Sequence, residues 1–267
     1  MSQTISSFLS EHLSDKKAVG ALNKKWLSYG ALRELKKDIH KILRKNGIAK
    51  QDRVAIVLPN GPTMATAFVT ISQCATTAPL NPNYREDEFS FYLDDLKAKA
   101  IVLNEGYDGP AAAAAERLAI KIIRLVESDL VAGLFSLVGD GDEEFLEDEE
   151  VCENDVALIL HTSGTTSRPK IVPLLQSNIA ASASNIAQSL SLSSSDRCLN
   201  VMPLFHIHGL IAAVSASLSV GASIWCSSGF NALSFFSNFD EAKPTWYTAV
   251  PTMHQAILAR SGRNSEI

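Results

Sequence analysis

The residues best suited to binding or catalysis are the ten from His161 to Lys170, HTSGTTSRPK. They hold five hydroxyl side chains, one glycine and two cations. They follow the apolar run DVALIL (155–160), which predicts a buried strand. A loop at the carboxyl end of a parallel strand lies where open α/β sheets bind ligands. Backbone N–H groups, hydroxyls and an ammonium suit phosphate oxygens. The pattern favours a polyphosphate as ligand, held by Thr162, Ser163, Gly164, Thr165, Thr166 and Lys170.

Two other interpretations of this loop must be weighed. A Walker-type phosphate loop requires G-x-x-x-x-G-K-[ST]. Here GTTSRPK lacks the second glycine and the hydroxyl residue after Lys170, so the sequence does not fit that motif. A Ser/Thr-rich turn without a ligand is equally compatible with the composition, because such residues are common in turns. Composition alone therefore leaves both the ligand site and the plain turn open.

The segments around this loop alternate between helical and strand-like patterns. SYGALRELKKDIHKILRK (28–45) places apolar residues three and four apart, on one face of a helix, and the apolar run DRVAIVLPN follows it. Strands that alternate with helices imply crossover connections and a largely parallel sheet covered on both faces. The sequence predicts an α/β fold of layered β-sheets covered by helices. Strands are expected at 54–58, 101–103, 156–160 and 245–250.

Residues 139–155, GDGDEEFLEDEEVCEND, hold ten acids and no base. Like charges at that density repel one another and stay solvated, so the segment predicts a surface linker. The expected organisation is a first α/β subdomain at 1–138, the acidic linker at 139–155, and a second α/β subdomain at 156–267 that carries the phosphate loop.

The composition excludes several classes of protein. Hydrophobic residues at 46% and charged residues at 20% match a soluble globular chain. A formal net charge of −5 argues against binding to nucleic acid or anionic membrane. The apolar stretch at 209–226 is interrupted by serines and Gly221, which favours a buried helix and strand over a membrane span. Without a secretory signal or paired cysteines, the expected location is cytoplasmic.

HTSGTTSRPK also resembles the phosphate-binding signature of the adenylate-forming superfamily, usually TSGTTGxPKG, which includes acyl-CoA synthetases and luciferases. VMPLFHIHGL (201–210) is similar to the PLFH segment of that family. The stretches at 78–93 and 245–258 also resemble family sequence, so the resemblance covers nearly the whole chain. It is closest to the branch of the oxalate-CoA ligases. Ser167 and Ile171 depart from the pattern, because they stand where glycines are usual.

The resemblance implies an ATP-dependent acyl-CoA ligase. In that reaction a carboxylate attacks the α-phosphorus of ATP, giving an acyl-adenylate and pyrophosphate, and coenzyme A then captures the acyl group. ATP, Mg²⁺ and CoA are the implied cofactors, and a small carboxylic acid is the implied substrate. By the same resemblance, the stretch 162–166 and Lys170 would hold phosphates, and His206 would orient the substrate at the edge of the acyl pocket. His208 is expected to be structural, and no residue is assigned a catalytic or metal-binding role.

The later motifs of that family, which hold adenine, magnesium and ribose, and its terminal domain with a catalytic lysine do not occur in these 267 residues. The resemblance therefore implies the N-terminal part of the luciferase-like large domain, with the second subdomain incomplete and the chain inactive by itself. Two alternatives stay open, namely an adenylation domain that feeds a carrier protein and a non-catalytic nucleotide-binding or interaction fragment. A peroxisomal location would require a C-terminal signal beyond residue 267.

Overall fold

The computed structural model describes residues 4–139, 149–162 and 169–262, and within them the strands form two sheets. The first contains β1 (Lys17–Gly20), β2 (Leu27–Ser28), β10 (Arg197–Asn200), β11 (Ser223–Cys226) and β12 (Trp246–Thr248), in the order β12-β10-β11-β1-β2. The second contains β3 (Arg53–Val57), β4 (Thr76–Pro79), β5 (Ala100–Asn104), β6 (Lys121–Glu127), β7 (Phe135–Val138), β8 (Val156–Thr162) and β9 (Lys170–Leu175), in the order β7-β6-β5-β3-β4-β8-β9. Neighbouring strands are parallel except at β2, β7 and β9, which are antiparallel edge strands.

The helices are α1 (Ile5–Ser10), α2 (Tyr29–Lys45), α3 (Pro62–Ile71), α4 (Glu86–Leu96), α5 (Pro110–Arg117), α6 (Gln176–Ser189), a π-helix (His208–Ser215), α7 (Ala216–Ser219), α8 (Phe235–Ala242) and α9 (Pro251–Ser261). Local signals explain where α2 lies. Ser28 caps its N-terminus by accepting a hydrogen bond from the N–H of Ala31, and Leu32, Leu35 and Ile39 form its buried face.

The helices and sheets form layers with three apolar cores. The largest core lies between the sheets, where α2 and α3 contact strands of both sheets, α6 contacts the larger sheet and the π-helix contacts the smaller one. A second core lies under α4 and α5, and a third lies under α8 and α9. In β3, Val54 and Ile56 face the first core while Ala55 and Val57 face the second. A parallel strand that is buried on both faces is apolar at every position, as this run is.

The predicted α/β fold of layered sheets covered by helices is confirmed. Strands occupy all four predicted regions, as β3, β5, β8 and β12, and the predicted helix at 28–45 is α2. The buried stretch at 209–226 forms the π-helix, α7 and β11. No helix among the described residues combines the length and apolarity needed to cross a membrane.

Several strands were not predicted from the sequence, and the most consequential is β9. Pro173 interrupts its pattern, since proline cannot donate a ladder hydrogen bond and demotes a run as a strand candidate. The structure accommodates Pro173 because β9 is an edge strand. The phosphate loop thus connects two antiparallel strands rather than a strand and a helix.

The two sheets exchange strands across the region predicted as a linker. β1 and β2 come from the N-terminal part of the chain but join β10, β11 and β12, whereas β8 and β9 join the sheet built by β3 to β7. Residues 140–148 of the predicted acidic linker lie outside the described residues. The division of the chain at 139–155 into two subdomains stays a prediction.

Candidate functional site

A cavity of about 340 Å³ opens at the carboxyl ends of β4 and β8. Segments from both sheets meet there, because the 203–208 connection follows β10 of the smaller sheet. Thr162 and His206, both predicted as site residues, line this one cavity although they lie 44 positions apart in the sequence. The lining residues are Pro79, Leu80, Asn81, Tyr84, Tyr92, Leu160, His161, Thr162, Phe205, His206, Ile207 and His208.

The predicted phosphate loop connects β8 to β9. Thr162 is the last residue of β8 and pairs with Lys170, the first residue of β9, and both are exposed. A hydroxyl and an ammonium therefore stand at the base of the loop, beside the cavity. The predicted ligands Ser163, Gly164, Thr165 and Thr166 lie outside the described residues, so their roles stay predictions.

The connection that carries His206 is held by hydrogen bonds from both sheets. Asn60, which follows β3, accepts from the backbone N–H of Leu204 at 2.8 Å and donates to the carbonyl of Ser227 at 3.2 Å. Asn200, at the end of β10, bonds both the N–H and the carbonyl of Met202. Partial burial lowers the pKa of His206, whose ring lies 4.4 Å from that of Phe205. A neutral imidazole is thus favoured at neutral pH, which suits orientation of a substrate rather than charge pairing.

His208 also lines the cavity, and its Nε2 forms a hydrogen bond of 2.7 Å with the hydroxyl of Thr248 in β12. The structural role expected for His208 stays a prediction. Its place on the cavity wall was not expected. The two histidines stand on either side of the start of a π-helix, a conformation that is often found at functional sites.

His161 forms the wall of the cavity opposite the smaller sheet. Its Nε2 donates a hydrogen bond of 3.0 Å to Asp95 in α4, and Tyr92 contacts its ring edge-on at 4.7 Å. Tyr84 stacks on Tyr92 at 4.9 Å, and burial raises the pKa of the Tyr84 phenol. The sequence assigned none of these four residues to the site. The only local signal was that His161 adjoins the polar loop.

The arrangement offers hydroxyl and ammonium groups on the hairpin, imidazoles and aromatic rings on the walls, and apolar side chains between them. This combination can bind an anionic polyphosphate next to a small organic molecule. A dedicated metal cage is a poorer fit. Among the described residues no three His, Cys, Asp or Glu side chains are grouped to hold a metal ion, and the carboxylate of Asp95 is engaged by His161.

The layered sheets, with helices on their faces and a cavity at the carboxyl ends of parallel strands, define an α/β protein with a cleft suited to a ligand. The chain belongs to the AMP-binding enzyme family, whose model matches residues 9–266. This match confirms the resemblance to adenylate-forming ligases and the assignment to the N-terminal part of their large domain.

Comparison with individual proteins supports the same family assignment. The chain is 36% identical to oxalate–CoA ligase of Arabidopsis thaliana over 274 residues, covering 99% of this chain and 53% of that protein. It is also 36% identical to oxalate–CoA ligase of Saccharomyces cerevisiae over 237 residues, covering 79% and 43%. The fold is similar to that of ATP-bound MatB from Rhodopseudomonas palustris, with a TM-score of 0.80, 23% identity, and coverage of 97% of this chain and 51% of that one. The chain thus spans about half the length of the curated relatives it matches.

Proposed function

We propose that the complete protein is an ATP-dependent acyl-CoA ligase that activates a small carboxylic acid. The observation that carries this proposal is that Thr162 and His206 line one cavity of about 340 Å³, with Lys170 paired to Thr162 across the hairpin, in a member of the AMP-binding enzyme family. Two oxalate–CoA ligases are each 36% identical to this chain, which makes oxalate the first acid to test.

The residues of this chain would act mainly by positioning. The hairpin would hold the β- and γ-phosphates of ATP through Thr162, Ser163, Gly164, Thr165, Thr166 and Lys170. His206 would orient the acid so that one carboxylate oxygen faces the α-phosphorus. Attack there forms the acyl-adenylate and releases pyrophosphate, and the thiol of CoA then displaces AMP. Catalysis of this kind depends largely on geometry and on stabilising charge that moves onto phosphate oxygens.

Mg²⁺ would arrive with the ATP phosphates and neutralise part of their charge. The described residues offer no metal cage, so its protein ligands are proposed to lie elsewhere in the complete protein. We also propose a cytoplasmic location, which fluorescence microscopy of the tagged complete protein would test.

Exchange of labelled pyrophosphate into ATP tests the first half-reaction. The protein encoded by the complete reading frame and the 267-residue chain are assayed with oxalate, malonate, acetate and hexanoate. Exchange by the complete protein, but not by the short chain, is the expected result. Exchange by neither protein with any acid would refute the ligase proposal and favour a non-catalytic fragment.

Formation of acyl-CoA tests the second half-reaction. The complete protein is incubated with ATP, free CoA and the acid that supports exchange, and the thioester is measured by chromatography. Production of acyl-CoA is expected. Exchange without any thioester would instead favour an adenylation domain that feeds a carrier protein.

A further inference from the structure

The side chain of His161 is nearly completely buried although it adjoins the exposed Thr162. Its side chain is 7% exposed, and it donates a hydrogen bond of 3.0 Å to Asp95, whose side chain is 40% exposed. The ring of Tyr92 meets the imidazole edge-on, and Tyr84 stacks on Tyr92. These four residues, the His161 cluster, connect the hairpin to α4.

Contacts within α4 do not explain why a carboxylate stands at position 95. The residue lies in the last turn, where the helix dipole disfavours negative charge. Its neighbour Asp94 pairs with Lys97 at 2.9 Å on the exposed surface. Asp95 pairs instead with His161, which is 66 residues away in the sequence. Its contact therefore serves the hairpin.

Among the described residues, the end of the β8–β9 hairpin at Thr162 and Lys170 has little backbone support from the rest of the sheet. β8 pairs with β4 at Leu158 and Thr77, well before the loop. Beyond that point the ladder of β8 runs to β9, as far as the pair of Thr162 with Lys170, and β9 is the edge of the sheet. Because two antiparallel strands at an edge can tilt together, side-chain contacts must set where Thr162 stands relative to the cavity. The His161–Asp95 hydrogen bond is such a contact.

We propose that Asp95 and His161 are positioning residues for the phosphate-binding hairpin. The carboxylate fixes the imidazole ring, and the buried ring fixes the end of β8, including Thr162, against the cavity. This inference rests on the proposed function, since it concerns where ATP phosphates bind. The segment that carries His206 follows a strand of the other sheet, so loss of the contact affects ATP more than the acid.

The test uses three variants of the protein from the complete reading frame: Asp95→Ala, Asp95→Asn and, as a matched control on the same helical turn, Asp94→Ala. Pyrophosphate exchange gives KM for ATP and for the acid, calorimetry gives the Kd for ATP, and thermal unfolding gives Tm. Asp95→Ala raises KM and Kd for ATP about tenfold, the scale of a lost hydrogen bond to a charged group, with KM for the acid near wild type. Tm also stays near wild type, because the Asp95 side chain is 40% exposed and water can replace its carboxylate as the acceptor for His161. Asp95→Asn stays within about threefold, because its amide oxygen still accepts from His161. Asp94→Ala matches wild type.

Unchanged ATP parameters in Asp95→Ala would overturn the inference. An equal rise in KM for both substrates together with a lower Tm would also overturn it, because the contact would then serve folding alone. If the wild type binds ATP without any exchange, and Asp95→Ala weakens that binding, the ligase proposal fails while the positioning role stands. A wild type that neither binds ATP nor supports exchange would refute both.

Discussion

Asn60 provides a sharp test of how the two sheets jointly hold the site. It follows β3 in the larger sheet, yet its side chain bonds the backbone of Leu204 and of Ser227, both in connections of the smaller sheet. Leu204 is fully buried and Ser227 is 3% exposed. In Asn60→Ala, the N–H of Leu204 therefore loses its partner where water has little access. An unsatisfied buried donor costs about 1–3 kcal/mol, so we expect a loss of about 2 kcal/mol in the free energy of unfolding.

Urea denaturation of the 267-residue chain measures this loss. The matched control is Asn231→Ala, because the Asn231 side chain also accepts from a backbone N–H at 2.8 Å, that of Leu233, in an exposed turn. Water replaces the acceptor there, so the control changes stability by less than about 0.5 kcal/mol. In thermal unfolding, a 2 kcal/mol loss corresponds to a Tm lower by about 4–8 °C for a chain of this size. Equal effects of the two substitutions would refute the reasoning that burial of the Leu204 amide makes Asn60 important.

Three further predictions concern the loop, the π-helix and pH. Lys170→Ala in the complete protein raises KM for ATP tenfold or more, the scale of a lost charged hydrogen bond of about 1.5–3 kcal/mol. Because Lys170 is exposed, the substitution changes stability by only about 0.5 kcal/mol. Comparable losses in pyrophosphate exchange and in Tm would show that the residue is structural. Gly209→Ala places a Cβ 2.6 Å from the carbonyl oxygen of Pro203 and lowers the free energy of unfolding by about 1–3 kcal/mol, as measured by urea denaturation. Gly262→Ala is the near-neutral control, because no described atom lies within 4 Å of the added Cβ. Equal urea midpoints for the two variants would contradict the clash. Burial lowers the pKa of His12 in the folded state. Below about pH 6.5 the His12 imidazole is therefore protonated to a greater extent in the unfolded state than in the folded state, so the free energy of unfolding falls as the pH drops through that range. The urea midpoint of His12→Gln should fall less between pH 7.5 and 5.5 than that of wild type, and identical slopes would exclude this contribution.

The sequence determined the local elements and the identity of the loop. An apolar face repeating every three to four residues predicted α2, and short apolar runs predicted β3, β5 and β8. These patterns are readable because helix and strand periodicity follow from backbone geometry within a few residues. The hydroxyls and cations between His161 and Lys170 indicated phosphate chemistry, and the resemblance to adenylate-forming ligases favoured that interpretation over a plain turn. The match to the AMP-binding enzyme family confirms the family, while the phosphate ligands stay a prediction.

Only the tertiary structure decided which segments meet. The pairing of Thr162 with Lys170 depends on β9. Pro173 makes this strand hard to predict from the sequence, and the fold tolerates the proline because β9 lies at the edge of its sheet. The contact between Asp95 and His161 spans 66 residues, and the placement of His208 on the cavity wall depends on a π-helix packed between layers. Such contacts arise from packing of apolar faces, which is non-directional and joins distant segments. Sequence periodicity reports which face of an element is buried, but the partner that buries it is chosen by the fold as a whole.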